Sequence, residues 1–236
     1  MTPTIKIEKR FCGPRDSGQG GYVCGMLGGF IKGTAEVTLR MPPPLDQELD
    51  VEVGADNVRL LSGDALVAEA RPTEFSLDVP GPPTYDEAIL ASRDYIGFTQ
   101  HAYPTCFVCG PDRAEGDGLR IFPGPVPGKE IVAAPWIPDA SFTGDDGLVR
   151  PEIVWASLDC PGAFGVLVHG LKLVILGRLA VKIETRPLPE EKYVVVGWHL
   201  STDGRKNYAG TALFSENGEL HATGKAVWID LQKDWA

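Results

Sequence analysis

The sequence predicts an α+β chain made of two similar units, and three observations carry that reading. Gln19-Gly20-Gly21-Tyr22-Val23-Cys24-Gly25-Met26-Leu27-Gly28 and Arg150-Pro151-Glu152-Ile153-Val154-Trp155-Ala156-Ser157-Leu158-Asp159 each open an apolar, helix-like run. Each run is followed by segments that alternate apolar and polar residues, and a helix followed by an antiparallel meander, occurring twice, points to two α+β units side by side. Between them Pro72, Pro80, Gly81, Pro82 and Pro83 cannot sit inside regular elements, so this stretch reads as a linker. The units are then 1–72 and 106–236, with the linker at 73–105.

In chain order, the first helix is expected to begin at Gly20-Gly21. Gly28, Gly29 and Gly33 weaken it on propensity, each by about 1 kcal/mol against alanine, so something must approach it closely. Packing of the two helices against each other suffices as the reason. Strands follow at 36–40, 49–53, 57–61 and 65–70, whose alternation marks antiparallel strands with one wet face. A short helix from Tyr85 to about Tyr95 interrupts the linker. After the second helix-like run come strands at 179–185, 193–200, 208–214 and 220–231, with Asp203-Gly204 and Glu216-Asn217-Gly218 as hairpin turns.

Composition excludes several function classes. A net charge of −10 disfavours nucleic acid as a partner, because backbone binding needs a basic surface. Hydrophobic content is 43%, yet no apolar run reaches the ~20 residues that span a bilayer, so no membrane role is expected. The first ten residues have no signal-like apolar core, and five cysteines, an odd number, read as reduced thiols; both point to the cytoplasm.

Cys106-Phe107-Val108-Cys109-Gly110-Pro111 followed by Gly118-Leu119-Arg120-Ile121 resembles the Cys-Phe-x-Cys-Gly segment of many hotdog thioesterases. Gly20-Gly21-Tyr22-Val23 is similar to the start of the central helix of that superfamily, and Asp159 sits where its acid belongs. Gly204-Arg205-Lys206-Asn207-Tyr208 leading into Ala212-Leu213-Phe214 is a third likeness. The resemblance implies a double hotdog, in which two long helices are each wrapped by an antiparallel sheet and the sheets join in a pseudo-dimer. It covers most of both halves and looks like the acyl-CoA thioesterase II type. The implied partner is an acyl-CoA or related acyl thioester, the implied assembly is a homo-oligomer, a dimer of double hotdogs, and no cofactor is called for.

Thioester hydrolysis needs an acid residue that activates water or attacks directly, together with N–H donors where the oxyanion develops. The resemblance assigns these roles to Asp159 and to the amides of Gly20 or Gly21. The reciprocal site would pair Gly28 with Pro151, which offer neither carboxylate nor N–H, so it should be dead. Against Asp159 stands Pro161, which ends or kinks the helix and would leave Asp159 in a turn. In the thioesterase II type a threonine and a glutamine join the aspartate. Aligning Arg186-Pro187 with that pattern puts Gly177 in the threonine's place and locates no glutamine, and nothing in the spacing selects Ser157, Ser201 or Thr202 as a substitute.

Arg205 and Lys206 lie at a strand entrance where the resemblance implies contact with the CoA phosphates, and a cation pair there suits a phosphate group; a solvated hairpin turn is the alternative. Tyr22, Trp155, Trp136, Trp198 and Phe164 are candidates for an acyl channel or for core. Cys106 and Cys109 have the spacing of half a zinc site. No second Cys-x-x-Cys or His pair follows, His101 and Cys160 being loose candidates, so no metal is expected. A non-catalytic acyl-thioester binding protein is the alternative function.

Overall fold

The computed structural model describes residues 3–170 and 173–232. The first half contains β1 (Thr4–Lys6), α1 (Gly20–Gly28), β2 (Ala35–Leu39), β3 (Glu48–Val53), β4 (Val58–Ser62) and β5 (Ala65–Pro72). Then come α2 (Tyr85–Arg93), β6 (Gly124–Pro125), β7 (Val132–Trp136), α3 (Pro151–Ser157) and α4 (Cys160–Leu167). The chain closes with β8 (Val174–Ile183), β9 (Tyr193–Asp203), β10 (Lys206–Ser215) and β11 (Leu220–Asp230).

The strands form one 11-stranded antiparallel sheet in the order β1-β3-β4-β5-β2-β8-β11-β10-β9-β7-β6. The two halves meet where β2 pairs with β8, in the register Ala35↔Val181, Glu36↔Ala180, Val37↔Leu179 and Thr38↔Arg178. Each of these strands would otherwise show an unpaired edge, so the junction satisfies backbone groups from both halves. No helix among the described residues is long and apolar enough to cross a membrane.

The helices depart from the expectation of two long ones. α1 has 9 residues, and the second helix-like run is broken into α3 and α4, of 7 and 8 residues. Pro161 accounts for the break, since it has no N–H to donate to the Ser157 carbonyl and its ring crowds that carbonyl. Asp159 occupies the position just before α4, with φ −79° and ψ −76°.

α1 lies directly against α3, and its glycines make this possible. A methyl built on Gly25 would sit 2.6 Å from Glu152 Cα, and one on Gly21 would sit 2.6 Å from Asp159 Cβ and 2.9 Å from the Trp155 carbonyl oxygen. Gly28 meets the Trp155 indole in the same way, at 2.9 Å. Of the three glycines that predict a close approach, Gly28 makes it, helix on helix, while a methyl on Gly29 would meet nothing nearer than 3.5 Å and one on Gly33, beyond α1, nothing within 4 Å among the described residues. On its other side α1 buries Tyr22, stacked on Phe11 with ring centroids 4.1 Å apart, and Phe107 closes that aromatic group edge-on.

α2 sits within the 73–105 stretch and starts with a capping box. Thr84 Oγ1 accepts from the Glu87 N–H, and Glu87 Oε2 accepts from the Thr84 N–H. Ala88 and Ala91 are buried on its inner face, against the β7 side of the sheet.

Candidate active site

The break between α3 and α4 leaves Asp159 at the junction of the two helices, directly before Cys160. Asp159 is 3% exposed, and its Oδ2 accepts a 2.7 Å hydrogen bond from the Gly21 N–H at the start of α1. The Gln19 side-chain amide donates to the same oxygen. Gln19 is itself held by its position before α1, where its Oε1 accepts from the Tyr22 N–H at 2.6 Å. Asp159 Oδ1 is buried and has no hydrogen-bond partner among the described residues. Burial pushes this carboxyl up to about 7; the Gly21 and Gln19 donors pull it down, and the neighbouring Cys106 raises it further.

Asp159 and Gln19 lie on the wall of a cavity of ≈ 340 Å³. That size falls in the range of small-molecule pockets. Its apolar lining comes from both halves and includes Leu39 of β2, Leu176 of β8, Phe164 and Leu167 of α4, and Trp228 of β11. Gly20 and Gly177 are also on the wall. The first N–H groups of a helix have no partner within it. In α1 the Gly21 N–H goes to Asp159 and the Tyr22 N–H to Gln19, while no acceptor among the described residues takes the Gly20 N–H. The arrangement offers an acidic oxygen, an amide side chain and a helix N-terminus at one end of an apolar cavity.

The structure brings Asp159, Gly20 and Gly21 together from opposite halves of the chain. It changes what Gly21 can do: its N–H is spent on the carboxylate, so of the two glycines Gly20 is the one with an amide to offer. Tyr22 and Trp155 are not among the residues lining the cavity; Tyr22 stacks in the core and Trp155 packs on Gly25 and Gly28. The Tyr22 ring packs on Phe11 and Phe107, and the Trp155 indole packs on Gly28 of α1. Phe164 does line the cavity. Arg205 and Lys206 are exposed at the β9–β10 turn, where Gly204 takes φ +57°, and are likewise not on the cavity wall.

Among the offered hydroxyls, Ser157 donates to the Val154 carbonyl within its own helix at 2.8 Å. Thr202 donates to Asn207 Oδ1 at 2.9 Å on the exposed end of β9. Gln19 is the residue that sequence reasoning missed. It lies 140 positions from Asp159, and its one local signal is its place directly before Gly20-Gly21.

Cys106 and Cys109 sit on a tight turn beside the same cavity, and Cys160, the first residue of α4, reaches them. Bonds from the Cys109 and Cys160 side chains hold the Cys106 thiol well below its ordinary value, against the effect of burial.

Several solved structures similar to this chain carry thioesterase names. The TesB protein of Mycobacterium avium subsp. paratuberculosis is 13% identical, with 96% of this chain and 91% of that one covered and a TM-score of 0.60. The acyl-CoA thioesterase II TesB2 of Mycobacterium marinum is 12% identical, with 90% of this chain and 89% of that one covered and a TM-score of 0.58. No family model matches the sequence, and comparison with curated proteins finds no match. The chain therefore shares the hotdog-type fold of TesB-type thioesterase II proteins, as its sequence motifs suggest, while at these identities the likeness speaks for fold alone.

Proposed function

We propose that this protein hydrolyses an acyl thioester, with acyl-CoA as the substrate class, in a site built between two hotdog units of one chain. In this reading the units are 1–72 and 106–236, linked by 73–105, and the β2–β8 pairing supports a pseudo-dimer. The observation that carries the reaction is the buried Asp159 carboxylate on the wall of an apolar cavity, with one oxygen held by two donors and the other without a partner among the described residues. Leaving a buried acceptor unsatisfied costs about 1–3 kcal/mol, so a fold that keeps one reserves it for a guest molecule.

A water hydrogen-bonded to Asp159 Oδ1 gives up its proton to that oxygen as it attacks the thioester carbonyl carbon. Negative charge develops on the carbonyl oxygen, where the Gly20 N–H at the α1 N-terminus supplies a donor. Collapse of the tetrahedral intermediate breaks the carbon–sulfur bond, and the thiolate leaves with the proton held by Asp159. Gln19 and the Gly21 N–H fix the carboxylate throughout, and the apolar lining takes the acyl chain. Arg205 and Lys206 serve the nucleotide end of CoA in this proposal.

A second reading, acyl-thioester binding without hydrolysis, is favoured by one observation: Gly177 on the cavity wall brings no hydroxyl to the strand position that carries a threonine in the thioesterase II pattern. Release of free thiol from a panel of acyl-CoAs of graded chain length separates the two. Enzymatic release that depends on chain length supports hydrolysis, and measurable CoA-ester binding with no release across the panel favours the binding protein.

A further inference from the structure

Three buried cysteines converge beside the cavity from two separate parts of the chain. Cys106 and Cys109 lie on the turn that follows the linker, and Cys160 opens α4. Their three sulfur atoms are all within 4.8 Å of one another, and Cys106 Sγ is 3.8 Å from Cys160 Sγ. All are free thiols, and 3.8 Å is far beyond the ~2.05 Å of a disulfide. It is the spacing that a tetrahedral metal centre sets: with metal–sulfur bonds of about 2.3 Å, neighbouring sulfurs stand about 3.8 Å apart.

The turn is shaped to present its sulfurs together. The Gly110 N–H closes it by donating to the Cys106 carbonyl at 2.9 Å. A side chain at 110 is barred, since a methyl there would lie 2.5 Å from both Cys106 N and the Pro104 carbonyl oxygen. His101 completes the group. The Tyr103 N–H donates to its Nδ1 at 2.9 Å, which leaves the proton of the neutral ring on Nε2, 3.4 Å from Cys109 Sγ. The ring is thus oriented to donate to that sulfur, as outer-shell partners of metal ligands do.

We propose that Cys106, Cys109 and Cys160 bind one zinc-class cation as three thiolates. His101 donates to the Cys109 thiolate, and the fourth coordination position opens on the cavity, whose wall includes all three cysteines. Binding expels to solvent whatever protons the three thiols carry and ties the end of the linker to the residue that follows Asp159. The ion acts as a staple for the Asp159 position.

The test measures metal, not turnover, so it stands or falls separately from the hydrolytic reading. Full-length protein made in zinc-containing medium and purified with reductant but no chelator should carry about one zinc per chain by elemental analysis. Cys160→Ser should lose most of that zinc, and Cys24→Ala, which alters a buried cysteine of α1 outside the cluster, should keep it. Cobalt(II) loaded into the wild-type chain in place of zinc should give strong sulfur-to-cobalt charge-transfer absorption, a readout that does not depend on a variant folding. Wild-type protein that holds no zinc and shows no such band with added cobalt overturns the proposal, as does Cys160→Ser retaining wild-type zinc.

Discussion

Replacing Gly25 by alanine tests the helix contact on which the site depends. The new Cβ would stand 2.6 Å from Glu152 Cα and 2.8 Å from Trp155 Cβ, where carbon atoms prefer about 3.5–4.0 Å. α1 and α3 must therefore part by about 1 Å, since the nearest obstacle is backbone and cannot swing aside. Overpacking of this kind costs up to about 3 kcal/mol, and the helix-propensity gain of alanine over glycine returns about 1 kcal/mol. The net loss of about 2 kcal/mol corresponds to a Tm lowered by roughly 4–8 °C in a chain of this size. Gly29→Ala is the control, because its nearest neighbour would be 3.5 Å away and the residue already has a right-handed helical conformation. It should raise stability by about 0.4–1 kcal/mol. Both are read by urea and thermal denaturation followed by circular dichroism, with thiol release measured in parallel. Separation of the helices stretches the 2.7 Å Gly21–Asp159 bond, so activity should fall with stability in Gly25→Ala alone. If Gly25→Ala stabilises the protein as Gly29→Ala does, the close helix contact is wrong.

Two further outcomes are expected. Gln19→Ala removes one donor to Asp159 and the Tyr22 N–H acceptor, and should cut hydrolysis by about 10-fold or more; Gln19→Glu, which puts a second acid against the first, should be no better, and wild-type turnover in either would remove Gln19 from the site. Alanine at both Arg205 and Lys206 should weaken acyl-CoA binding more than binding of an acyl-pantetheine without the nucleotide, with the difference shrinking at high salt; equal loss for both ligands in a binding titration would mean that the cations act through folding.

Much of the fold was legible because alternation is a local property. β2 to β5 and β8 to β11 fall where apolar and polar residues trade places, with ends shifted by a few residues, most at β8, which begins at Val174 rather than 179. β7 escaped because Val132-Ala133-Ala134-Pro135-Trp136 is almost wholly buried and contains a proline, so it shows neither alternation nor ordinary strand composition. β1 and β6, of 3 and 2 residues, are too short to show a period. The break at Asp159 was foreshadowed by Pro161, but whether a turned-out acid meets solvent or a cavity depends on what packs there. Contacts across the chain were invisible for the same reason. The Gln19–Asp159 bond and the meeting of Cys160 with Cys106 join residues 140 and 54 positions apart, and no spacing rule reaches that far. Tyr22 and Trp155 were aromatic candidates; the Tyr22 ring is used by its stack on Phe11, and the Trp155 indole by the glycine-lined helix contact.

The most direct test of the account is turnover by Asp159→Asn. Asparagine keeps the size of the side chain and an oxygen for the Gly21 and Gln19 donors, but it cannot accept a proton from water. With a thioester that the wild-type protein cleaves, thiol release should fall by about 100-fold or more, the scale of a lost general base. Substrate affinity and Tm should stay near wild type, because the change removes a buried charge without opening a cavity. Near-full hydrolysis by a folded Asp159→Asn protein would contradict the account and place the activation of water elsewhere.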